Sequence, residues 1–360
     1  MQTDLAPPRP SRLSRRSGLL AAALLVPACA SPREDAGGPL SVVLAATRGD
    51  ERVAVLDARS LEELRSFPIG LGAHELAANS TGSLAIGSAY GGPGAGHQPA
   101  DNRLAVFDPR SGELLRTIDL GEHVRPNDVV FLRDDRRALV TSEVRGALLL
   151  VDAVEGRIDA VWELGERAGH MLCYAPDAPS PSGAGRAFVS HVFPGAVTVL
   201  DAGTGERLGR VETAVGAEGI ATTRDGSRVW CANNRSGSVT VFDGRTLELV
   251  ATFEQEGFPF RVEVSPDDRT VAITCPESND VRLFDAATCE RRGRLDLAPF
   301  GSGASPEGVA FDAGGDAIVV ACPQAALLVA FDLASGGVVA TAPAGSILDP
   351  IASARLVAGS

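Results

Sequence analysis

Seven times along this chain a short apolar run ends in aspartate, as in Val-Thr-Val-Phe-Asp at 239–243. The runs close at Asp57, Asp108, Asp152, Asp201, Asp243, Asp285 and Asp332, which stand 51, 44, 49, 42, 42 and 47 residues apart. Self-similarity at that period marks a four-stranded unit that cannot bury its faces alone and must stack on copies of itself. A chain of 360 residues would otherwise suggest two or more domains. A closed ring of repeats reaches that length as one domain, and the repeat outweighs the length.

The strands of one unit are legible around each aspartate. In the fifth, 218–223 is followed by the turn Arg224-Asp225-Gly226, then 228–233, a turn at Arg235-Ser236-Gly237, then 238–243 and 248–253. Short β-branched and aromatic runs between Asp-Gly and Ser-Gly turns predict an antiparallel meander. The shared aspartate is expected to end the third strand and cap the next turn through its side chain, not to act as an acid. The first recognisable strand, 41–47, corresponds to the second strand of a unit, and the last, 349–354, to a first strand. The expected fold is therefore all-β: a seven-bladed β-propeller of four-stranded antiparallel blades, closed by one C-terminal plus three N-terminal strands. Such closure leaves no free sheet edge at the seam.

The run Val-Trp-Cys-Ala-Asn at 229–233, its partner 238–243 and the turn Ser-Pro-Asp-Asp at 265–268 resemble the bacterial YVTN-type propeller repeat. The resemblance extends from about residue 40 onward, strongest in blades four to six. That superfamily includes propeller lactonases and the haem-binding propeller of cytochrome-type nitrite reductases, so the resemblance implies the fold firmly and the activity hardly at all.

The first residues read as an export signal: Arg12, Arg15 and Arg16, an apolar stretch over 18–26, then Val26-Pro27-Ala28-Cys29. The stretch is too short to span a bilayer as a permanent helix. Val-Pro-Ala-Cys resembles a lipobox, with proline departing from its usual second residue, and implies lipidation of Cys29. Arg15-Arg16 fits either a twin-arginine signal or an ordinary secretory n-region. The expected organisation is a signal peptide over 1–28, a tether over 29–39 and one propeller over 40–360. The protein is expected to be exported, as a periplasmic or cell-surface lipoprotein touching the membrane only through its N-terminal lipid. A net charge of −13 without any lysine argues against nucleic acid as a partner and removes Schiff-base chemistry. Five cysteines remain beyond Cys29, with neither metal-ligand spacing nor a disulfide framework.

Aligning the units places His74, Asn127, His170, Glu218, Phe260, Glu307 and Asp349 at one equivalent position, the start of each channel-lining strand. Glu75, Asp128 and Arg261 follow them. Ten residues before each aspartate, at the end of the second strand, stand Thr47, Ser142, His191, Asn233, Cys275 and Cys322; both sets are expected on one face. Including His123 and His97, the latter in a glycine-rich insertion expected to form a flap, that face gathers all five histidines. The ligand-binding candidates are His74, Glu75, Asn127, Asp128, His170, His191, Glu218, Arg261 and Glu307.

Three functions follow. A binding module would hold a small ligand, a metal or an envelope protein partner at the channel mouth. A lactonase- or cycloisomerase-like enzyme would use His170, Arg261, Glu218 and Glu307, with arginine holding a carboxylate and His or Glu moving a proton. A metal- or haem-binding propeller would draw ligands from His74, His170, Glu218 and Glu307.

Overall fold

The computed structural model describes residues 39–47, 51–92, 99–166, 169–344 and 348–357. The expected signal peptide, Cys29, the tether up to residue 38 and His97 lie outside the described residues. The rest forms seven four-stranded antiparallel sheets in a ring, a seven-bladed propeller. Six blades are consecutive meanders whose innermost strands are Ala73–Ala78, Pro126–Phe131, Gly169–Ala175, Ala217–Thr222, Val262–Val264 and Gly308–Phe311. The first blade closes the ring as expected, its innermost strand being Leu348–Leu356, paired antiparallel with Leu40–Thr47.

Middle strands such as Ala147–Asp152 and Ala196–Asp201 are buried at every residue, because each lies between two neighbouring blades. Outer strands such as Arg157–Glu163 alternate exposed and half-buried positions, as a sheet margin with one wet face must. The core sits between the blades. Trp230 of blade five, fully buried, meets Phe284 of blade six at 5.7 Å between ring centroids. The repeating aspartates cap turns: Asp201 Oδ1 accepts the amides of Gly203 and Thr204, and Asp285 Oδ1 those of Ala287 and Thr288. The five described cysteines are all unbridged.

Candidate functional site

Five of the seven innermost strands open with a break in the ladder, those of blades six and seven pairing without one. Gly169 pairs with His191 and Leu172 with Val189, so His170 and Met171 bulge out of register; Asn127 and Asp128 do the same between Pro126 and Val129, and Glu218 and Gly219 between Ala217 and Ile220. His74 and Asp349 fall in the corresponding breaks, the latter with its side chain outside the described residues. Five of the seven positions of the first predicted ring thus share one place in the ladder, and Phe260 and Glu307 stand just before their strands. A bulge re-aims two side chains at once: the first toward the rim of the disc, the second into the lumen.

In four blades a hydroxyl one residue before the end of the second strand ties the start of the innermost strand to the next blade. Ser190 Oγ accepts the Met171 amide and donates to the Glu218 carbonyl at 3.0 Å; Thr141 links Asp128 to His170 in the same way, Ser88 links Glu75 to Asn127, and Thr274 links Arg261 to Glu307. Blades one, five and seven carry Ala46, Ala232 and Ala321 at that position.

On the rim, His170 Nε2 lies 2.7 Å from Glu218 Oε1, and its Nδ1 lies 3.0 Å from Asn127 Nδ2 and 3.9 Å from Glu143 Oε1. Glu143 also accepts a 2.5 Å hydrogen bond from the Tyr90 hydroxyl, and Asn234 Nδ2 donates to Glu218. Burial disfavours the imidazolium, but Glu218 and Glu143 outweigh it and raise the His170 pKa above its ordinary value. Burial likewise opposes ionisation of Glu218, and His170 outweighs it to hold that carboxyl below its ordinary range. His74 packs against the Tyr90 ring at 4.6 Å, and Glu307 accepts a hydrogen bond from Ser305.

The second predicted ring is displaced by one residue. His191 is fully buried and meets Thr198 Oγ1 at 2.9 Å; Asn233 binds Thr240, and Ser142, Cys275 and Cys322 are equally buried. Successive strand residues face opposite sides. At the second strand's end one residue enters the blade interface, and the next, Glu143 or Asn234, reaches the rim. His191 therefore faces the blade interior and not the rim expected for it.

The lumen is arranged differently from the rim. Arg261 of blade six reaches across it to form an ion pair with Glu75 of blade two, and its Nη1 donates to Met171 Sδ of blade four at 2.7 Å. This latch is largely buried, with 12% and 11% of the two charged side chains exposed. Below it a chamber of about 660 Å³ runs between the innermost strands to the opposite face of the disc, where Arg133 and Arg224 stand half-exposed beside Asp177. Its walls mix aliphatic side chains, Val130, Leu172, Val264, Val309 and Ile351 among them, with polar ones such as Thr222 and Ser353; the end beneath the latch carries Glu75, Asp128, Arg261 and Glu263. Asp128 accepts the amides of Val129 and Leu172, yet burial outweighs them and raises its pKa. Glu263 is pushed up to about 8 by burial and then by Asp128. The signal for Glu263 is strand alternation, which places it on the same side as Arg261 two residues earlier.

Of the proposed catalytic set, the structure brings His170 and Glu218 together on the rim, commits Arg261 to Glu75 in the lumen and turns Glu307 to Ser305. Among the described residues no three His, Cys, Asp or Glu side chains are grouped to hold a metal ion. With both His170 ring nitrogens engaged and His74 packed on Tyr90, these residues do not fit a haem or a transition metal.

No family model matches the sequence, and no curated protein matches it. Among solved structures, the chain is similar to a functionally unknown protein from Desulfotomaculum acetoxidans DSM 771, with a TM-score of 0.70 and 15% identity over 88% of this chain and 99% of that one. It is also similar to Kuenenia stuttgartiensis hydrazine synthase, with a TM-score of 0.64 and 17% identity over 78% and 89% of the two chains. At such identities the resemblance is one of fold, and the chain is a seven-bladed β-propeller whose architecture is consistent with a binding module.

Proposed function

We propose that this propeller is a ligand-binding module of the cell envelope whose central chamber receives a small molecule. The chamber supports the reading: its volume falls within the range of small-molecule sites, about 300–1,000 Å³, and aliphatic wall segments beside fixed polar groups are how such sites combine affinity with orientation. The opening lies on the face opposite the His170 rim. The enzyme reading has one observation in its favour, the 2.7 Å His170–Glu218 contact. Both nitrogens of that ring are engaged, however, and the pair stands on the other side of the Arg261 latch from the chamber.

A library screen by thermal shift tests this reading with Val130→Phe, whose ring would project into the lumen from a half-buried position. Ligands are expected to raise the melting temperature of the wild type and leave that of the variant unchanged. Equal stabilisation of both proteins would place binding elsewhere.

The same proposal includes the YVTN-type family, export through residues 1–28 and anchoring through acylated Cys29. Radiolabelled palmitate is expected to enter the wild type, and Cys29→Ser is expected to move the protein from the membrane to the soluble envelope fraction. An unlabelled wild type would remove the anchor.

A further inference from the structure

We propose that the chamber takes an organic cation, a primary amine whose apolar body lies along the strand walls and whose ammonium reaches Asp128 and Glu263. This rests on the channel reading above and adds the chemical class.

The argument begins with charge. Among the described residues one guanidinium, Arg261, faces three carboxyl groups at the inner end of the chamber and forms an ion pair with Glu75. Asp128, 7% exposed, takes two backbone amides, dipoles that carry no formal charge. Glu263 makes no hydrogen bond or ion pair among the described residues, although its carboxyl lines the cavity. The titratable and charged groups facing it are Asp128, Arg261 and the Cys173 thiol, which burial and these acids keep protonated. The described carboxyls thus outnumber the cations facing them, and burial keeps a proton on Glu263, whose pKa is pushed up to about 8.

Shape decides which cation. No three ligating side chains are grouped for a metal among the described residues, and aliphatic walls solvate a hydrocarbon better than a hydrated ion. An ammonium is a compact charge that a carboxyl pair can hold while its alkyl or aryl body covers Leu172, Val264 and Val309. At the entrance the two guanidiniums of Arg133 and Arg224 are balanced by two carboxylates, Asp177, which pairs with both at 3.4 and 3.6 Å, and Asp135. The protein's net charge of −13 draws cations toward it.

Calorimetric titration of the full chain with hexylamine and 2-phenylethylamine, against 1-hexanol and hexanoate, tests the inference. Both amines are expected to bind and to release a proton, seen as a heat that differs between buffers of unequal ionisation enthalpy. Their affinity is expected to rise about tenfold per pH unit from about pH 6 and to level off near pH 8, because the amine and the proton compete for one carboxylate. Glu263→Gln, which removes an acid without a partner, is expected to fold, to weaken hexylamine about tenfold or more and to flatten the pH dependence. Hexanol or hexanoate binding as tightly as hexylamine, but not to Val130→Phe, would overturn the cation and leave the channel reading standing. Amine binding that survives Val130→Phe would overturn both. No heat from any probe at millimolar concentration would overturn the cation inference.

Discussion

Replacing Arg261 by methionine is expected to destabilise the propeller by about 3–5 kcal/mol, the usual penalty for breaking a buried ion pair from one side. Methionine keeps most of the side-chain volume and removes only the charge that Glu75, Asp128 and Glu263 share. The sign of the pH dependence follows from those carboxyls. Glu263 already has a folded-state pKa raised to about 8, so its contribution favours folding fully below the ordinary carboxylate range and is lost as pH rises toward 8. Without Arg261 the other two should move the same way. The deficit of Arg261→Met is therefore expected to be largest at pH 7–8 and to shrink toward pH 5, read as urea midpoints at each pH. Adding Glu75→Gln should recover part of the loss at neutral pH. A variant as stable as the wild type at pH 8 would mean that Arg261 does not neutralise the chamber.

Truncation after residue 347 is expected to be more damaging still. It removes Leu348–Leu356, the innermost strand of the first blade, whose partners run from Leu40 opposite Leu356 to Thr47 opposite Leu348. Ala354 and Leu356 are buried with Val42, Leu44 and Leu76, so the cut strips one wall of that core and leaves an open sheet edge at the seam. A melting temperature lowered by about 10 °C or more, or loss of a single cooperative transition, is the expected result by calorimetry or circular dichroism. Addition of a synthetic 348–360 peptide should restore part of the loss. An unchanged melting curve would show that the ring does not depend on this closure.

Much of the architecture is legible in residue order because a blade is a local structure. Its turns, its apolar alternation and the aspartate that caps each third strand all lie within one repeat, and the register they set places His74, Asn127, His170 and Glu218 at equivalent bulges. The ring of second-strand ends is displaced by one residue for an equally local reason. Asp-to-strand counting identifies the end of the strand, but alternation then decides which neighbour turns outward, and Glu143 and Asn234 do so where His191 and Asn233 do not.

Across the blades, residue order is silent. Arg261 and Glu75 are 186 positions apart and meet only because the disc closes, and Asp128 faces Glu263 for the same reason. The amino-acid sequence by itself determined the repeat, the number of blades, the turn caps and the closure by strands from both ends, since each depends on hydrogen bonding and burial within neighbouring segments. Only the tertiary structure decided that the rim and the lumen are separate, that the chamber opens on the opposite face, and that among the described residues its inner end holds more carboxyl groups than cations. Electrostatics in a low-dielectric lumen depends on distance through space, which ring closure sets and sequence spacing does not.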